Sequence, residues 1–206
     1  GAVRVAGTDR SMTLAEVAHI WYRKPQLLPA DVDPAGLEVT AGYKTLRDSG
    51  TFSYACHALV IALDTALGHS EILDYVIVED GGTLVNQMVV DGQIYGGTAQ
   101  GIGTALYEEM PYDSEGQPLA STLADYMLPG PTEVPEPRIM HMSTPSPYTE
   151  FGQKGIGEGG AIAPPAAIIN AINDALAPLG AELTTSPASP RRVLAAIEAA
   201  RLRQAA

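Results

Sequence analysis

The chain has 206 residues, 46% hydrophobic and 17% charged, with 24 acidic against 12 basic side chains and a net charge of −12. That composition can bury a core, which excludes a wholly disordered chain, and the acidic balance excludes binding along a nucleic-acid backbone, which needs clustered lysine and arginine. The lone cysteine, Cys56, excludes an internal disulfide and an iron–sulfur or multi-cysteine zinc site within the chain, and reads as a small buried apolar residue.

The N-terminal "GAVRVAGTDR" lacks the hydrophobic core of an export signal and does not begin with Met, so a fragment, a processed product or one subunit of a larger assembly is expected. Residues 13–24, "TLAEVAHIWYRK", place Thr13 three positions before Glu16, a capping-box pattern, and Leu14, Val17, Ala18 and Trp21 recur at helical spacing. A Pro-rich connector, 24–36, follows. Residues 51–64 and 71–80 are rich in β-branched and aromatic residues around a glycine turn, which predicts a β-hairpin. Residues 92–110, "GQIYGGTAQGIGTALYEEM", read as a glycine cluster entering a helix. Then come a turn at "YDSEGQPLA", a four-proline loop over 129–137 and a short strand within 135–144.

Pro164 and Pro165 suit the first turn of a helix that carries Ile168, Ile169, Ile172, Leu176 and Leu179 on one face. Ser189 and Pro190 read as the cap and first position of a C-terminal helix. The expected fold is α+β, a mixed sheet with packed helices, with 1–50 as linker and helix and 51–206 as the functional part. No stretch approaches the roughly eighteen apolar residues of a membrane span, and the chain is expected to be cytoplasmic.

The stretch 152–164, "GQKGIGEGGAIAP", surrounds one carboxylate, Glu158, with five glycines. Gly155, Gly157 and Gly160 satisfy G-x-G-x-x-G, but "STPSPYTEF" before them is no strand, so the dinucleotide context fails. No G-K-[ST] phosphate loop occurs, and His19, His57, His69 and His141 lack the short spacings of a zinc site. What remains is a glycine-lined loop leading into a helix start, suited to an anionic ligand. A partly desolvated acid beside such a ligand would have a raised pKa and suit a general base. In "GGTAQGIG", 96–103, Gln100 stands between glycines and its amide can both donate and accept. Two such segments suggest one large ligand touched by both; the competing reading is a surface acid in a loose turn.

Three motifs in series, "VEDGGTLVNQMVVDGQIYGGTAQGIGTALYEEMPYDSEGQP", "DYMLPGPTEVP" and "GQKGIGEGGAIAPPAAIINAINDAL", resemble the C-terminal part of the large subunit of molybdenum hydroxylases, the xanthine oxidase, aldehyde oxidase and aerobic carbon monoxide dehydrogenase family. The resemblance covers about residues 50–203. It implies a molybdenum–molybdopterin cofactor, as such or in a dinucleotide form, with the metal held through the pterin and not by protein ligands. Glu158 matches the family's active-site glutamate, the base that takes a proton from the hydroxo ligand. Gln100 matches a glutamine that contacts the cofactor. Lys154 and Gly155 match backbone that approaches the metal ligands, and Gly97 and Thr98 are placed near the pterin.

The implied partners are the remaining part of the molybdopterin subunit, a 2Fe-2S subunit and an FAD subunit, in a dimer of heteromultimers, with a small-molecule substrate and no membrane or nucleic acid. The family often has Asp-Cys-Gly and Asn-Pro where this chain has Asp80-Gly81-Gly82 and Asn86-Gln87, positions read as structural turns. The loops that distinguish substrates in the family are not among these residues. The rival expectations are a non-catalytic structural piece with a vestigial pocket, and a nucleotide-binding module.

Overall fold

Thr13 opens the first helix as its spacing predicts: its side chain accepts from the Glu16 amide, and the Glu16 carboxylate accepts from the Thr13 amide at 2.8 Å. The computed structural model describes residues 1–44, 47 and 51–205. They fall into two units, Gly1–Lys44 and Thr45–Ala206. In the first, β1 (Ala2–Arg4) pairs antiparallel with β2 (Ser11–Thr13), which runs into α1 (Leu14–Arg23).

The second unit is built on the predicted hairpin. β3 (Tyr54–Asp64) and β4 (His69–Asp80) pair antiparallel, and β5 (Arg138–Met142) joins β4 in parallel, so the sheet order is β3-β4-β5. A register shift at Val60/Ile61 bends β3, and Gly68, at φ 72°, closes the turn. Alternation sets one face inward. On β4 the inward residues Tyr75, Ile77 and Glu79 are each 0% exposed, whereas Val60, Met140 and Met142 stand exposed on the opposite face.

Helices cover the inward face. α2 (Gln87–Leu106) contributes Val90, Ile94, Ile102, Ala105 and Leu106 to the core. α4 (Pro164–Leu176) buries Ile168, Ile172 and Leu176, and α5 (Pro190–Ala205) buries Val193, Ile197 and Ala200. Together they form one apolar cluster, with a smaller one around Tyr75, Ile77, Val90 and Ile94. The α+β expectation is met.

Three local expectations are corrected. The glycine cluster 96–103 is not a loop ahead of a helix but the interior of α2, because Asn86 starts that helix early, its side chain accepting from the Val89 amide at 3.3 Å. Cys56 is exposed, since it lies on the outer face of β3, paired with Val78. Ser189 does stand before Pro190, yet its hydroxyl is buried without a hydrogen-bond partner, and only its carbonyl engages the helix, accepting from Arg192 and Val193 amides.

Candidate functional site

The 152–158 loop is tied to the end of β4. Asp80 Oδ1 accepts from the Gly82 amide at 2.8 Å, the Thr144 amide at 3.1 Å and Lys154 Nζ at 3.2 Å. Burial alone would raise this carboxyl, but the bonds from Thr144, Gly82 and Lys154 prevail and hold it at about 2. The Lys154 amide donates to the Gly81 carbonyl at 2.9 Å, and Gly82 bridges Gln153. Gly82 has φ 68°, and a Cβ there would lie 2.3 Å from the Gly152 carbonyl oxygen. The Asp80-Gly81-Gly82 turn is therefore structural, as is Asn86, the helix cap.

Beyond Lys154 the loop meets α2 and the short α3 (Gly159–Ile162). Gln93 Nε2 donates to the Gly157 carbonyl at 3.0 Å, and Thr98 Oγ1 to the Gly160 carbonyl at 3.3 Å. The backbones then come together: a Cβ on Gly160 would lie 2.5 Å from the Ile94 carbonyl oxygen, and one on Gly97 would lie 2.9 Å from the Ala161 amide. Glycines in α2 thus permit helix-to-backbone packing. Their propensity cost, about 1 kcal/mol each, is offset by that contact.

Glu158 occupies the residue before α3, in a peptide fixed on both sides, while its own side chain is exposed and makes no capping bond. Gln100 is also exposed, at mid-helix in α2. The segments carrying the two residues pack directly against each other through Gly97, Gly101, Gly160 and Ala161. Neither residue lines any of five surface hollows of about 260 to 460 Å³ along the chain. They stand on an open surface.

That surface has a bare strip. Gly92, Gly96 and Gln100, four residues apart, share one stripe of α2. A Cβ on Gly92, Gly96 or Gly155 would meet nothing within 4 Å. Gly97 and Thr98 face the other way: Gly97 abuts α3 and Thr98 is 1% exposed, so both work as packing behind the strip. The Lys154 side chain is 6% exposed and engaged by Asp80, and its amide by Gly81, leaving its carbonyl and Gly155 for outside contacts.

The structure also assembles groups that motif reading passed over. Glu79 is fully buried, and neither carboxyl oxygen has a hydrogen-bond partner. Burial pushes its pKa up; His141 pulls it down less strongly, and Asp80 adds to the rise. His141, in register with Glu79 on β5, holds Asp91 of α2 through Nε2 at 2.6 Å, and its Nδ1 is buried and unpaired. The available signal was the alternation Tyr75, Ile77, Glu79, which sets an acid at an inward strand position.

The family model described as a molybdopterin cofactor-binding domain matches residues 1–135. The chain belongs to this family. It is 39% identical over 192 residues to the nicotine 6-hydroxylase large subunit of Paenarthrobacter nicotinovorans, covering 93% of this chain and 23% of that protein. It is 32% identical over 191 residues to the carbon monoxide dehydrogenase large chain of Hydrogenophaga pseudoflava, covering 92% of this chain and 23% of the relative. Among solved structures, quinoline 2-oxidoreductase from Pseudomonas putida 86 superposes with a TM-score of 0.82 at 40% identity, over 96% of this chain and 25% of that one.

The chain thus spans about a quarter of the length of these relatives. The family match ends before Glu158, but an aligned span of 192 residues in a chain of 206 necessarily includes 152–158. The resemblance to molybdenum hydroxylase large subunits is borne out.

Proposed function

We propose that this chain forms one wall of a molybdenum hydroxylase active site, with Glu158 as the general base. The residues present fit a molybdopterin group on one observation: a strip of bare α2 backbone, Gly92 and Gly96, ends at the exposed amide side chain of Gln100, and the clamped 152–158 loop is bonded to the same helix. A flat, polar, anionic ligand suits such a surface, because backbone can approach it and an amide can both donate to it and accept from it. Gln100 and the backbone of Lys154 and Gly155 would hold the group, with Gly97 and Thr98 bracing the strip from behind. When bound, the cofactor supplies the oxidation–reduction chemistry at a substrate carbon.

Glu158 contributes the proton transfer. Its carboxylate accepts a proton from the water-derived nucleophile as that oxygen attacks, and returns it to solvent afterwards. Two features suit it to this role. Its peptide is held by Gln93, Thr98 and the α2 backbone, so the carboxylate is aimed from a fixed point. Its side chain makes no competing internal hydrogen bond.

The rest of the site lies outside these residues, which cover one quarter of the relatives' length. The missing wall is the remaining part of the molybdopterin subunit. Electrons leave through 2Fe-2S and FAD subunits in a cytoplasmic heteromultimer, and the cofactor carries a dinucleotide or the simpler pterin.

The decisive observation is the exposed Glu158 on a backbone clamped against the Gln100 helix. Glu158→Gln in the assembled enzyme should retain molybdenum and lose turnover by about a hundred- to ten-thousand-fold. Metal analysis and single-turnover reduction test this directly. Normal hydroxylation by that variant would remove Glu158 from the mechanism, and an assembled wild-type enzyme without molybdenum would make the pocket vestigial.

A further inference from the structure

Gly159 has no side chain because another residue occupies the space. A Cβ built there would lie 2.6 Å from Glu79 Oε1 and 3.4 Å from its carboxyl carbon. Glu79 therefore lies directly under the first residue of α3, one position after Glu158. From the other side, the Ile94 backbone presses on Gly160. The turn carrying Glu158 is held between a strand carboxyl and a helix backbone, and that carboxyl is 0% exposed with both oxygens unpaired.

We propose that Glu79 is a positioning residue whose uncharged carboxylic acid supports the Glu158–Gly159 peptide and so sets where the Glu158 carboxylate stands. The inference rests on the reading of Glu158 as the base. The charged groups that act on Glu79 are His141 and Asp80. Asp80, on its own strand, is bonded to Lys154 from the loop. His141, on β5, is bonded to Asp91 of α2, so its Nε2 is already engaged. Glu158 stands at the cap of α3, next to the Gly159 that covers Glu79.

Among the described residues no cation is paired with Glu79, and a buried unpaired carboxylate costs far more than the neutral acid. A neutral Glu79 leaves its neighbour's charge unopposed. An ionised one would place a second negative charge beneath the turn that carries Glu158. The shape of the acid and its lack of charge both serve the base above it.

The test uses the assembled holoenzyme with Glu79→Gln, which keeps size and neutrality, and Glu79→Ala, which keeps neither size nor support. Glu79→Gln should hold kcat within about twofold of wild type, as isosteric swaps do. Glu79→Ala should lower kcat about a hundredfold with little change in KM, as misplacing a reacting group does. Three readouts stand apart from turnover. The Ala161 amide, which donates to the Glu158 carbonyl at 3.0 Å, should exchange faster in Glu79→Ala and not in Glu79→Gln. The infrared band of a protonated carboxyl should be present in wild type and lost in Glu79→Gln. The acid limb of the pH–rate profile should coincide in wild type and Glu79→Gln.

An acid limb displaced to lower pH in Glu79→Gln, an absent infrared band, or unchanged Ala161 protection in Glu79→Ala each overturns the proposal. If Glu79→Ala fails to assemble, the Glu79→Gln profile and spectrum decide alone. An active Glu158→Gln would defeat the base assignment, while Ala161 exchange would still report whether Glu79 holds the turn.

Discussion

Lys154 places its ammonium 3.2 Å from Asp80 with both side chains 6% exposed, and 4.5 Å above the Tyr54 ring. Removing one member of such a buried pair leaves the other uncompensated, so Lys154→Met should destabilise the fold by about 3 kcal/mol, read by denaturant unfolding of the assembled enzyme. Asp80 also titrates. Its carboxyl sits at about 2 against an ordinary 3.8. The unfolded chain therefore binds the proton first as pH falls. The contribution, about 2 kcal/mol, is fully present above pH ~4 and lost as pH drops through about 2.

Asp80→Asn should flatten that acid loss, which thermal unfolding from pH 5 to 2 will show. Glu79 has the opposite sign: with its pKa raised, its stabilising proton is lost as pH rises from the ordinary carboxylate range through the folded value, so Glu79→Gln should weaken the decline of stability toward high pH. Glu158 and Gln100 were legible in sequence because glycines flag them. Glu79 and His141 were not, and Asp80 was read only as part of a turn, since their partners lie 62 and 74 residues away along the chain.

At the scale of elements, the hairpin, the α1 cap and the α4 stripe could be read from local pattern, because capping and periodicity are local properties. α2 could not. Five glycines in 20 residues argue against a helix by propensity, and tertiary packing against α3 overrides them. Two substitutions separate the uses of those glycines. Gly160→Ala drives a methyl into the Ile94 carbonyl and should cost about 1–3 kcal/mol of stability. Gly96→Ala points into open space and should gain about 0.5–1 kcal/mol. If the strip of α2 carries the cofactor, however, Gly96→Ala should lower the molybdenum content of the assembled enzyme. A variant both more stable and cofactor-poor would mark the strip as a ligand surface, and full loading would remove it.

Over the whole chain, one face of the β3-β4-β5 sheet is covered by helices and the other presents Val60, Met140 and Met142 to solvent, each at least half exposed. The relatives are about four times longer, which supports assigning that face to the remaining part of the molybdopterin subunit. Under the proposed function, Met140→Lys should leave the unit's own secondary structure intact, as measured by circular dichroism, while weakening its association with the remaining part of the molybdopterin subunit.

A last consequence concerns Gly159, the thin partition between an acid that never meets water and one that always does. A single methyl there would press on the hidden carboxyl from above, much as trimming that carboxyl undermines the turn from below. Gly159→Ala should therefore reproduce the kinetic signature of Glu79→Ala although the two residues share no chemistry. An atom added to that wall would reach the proposed base without altering it.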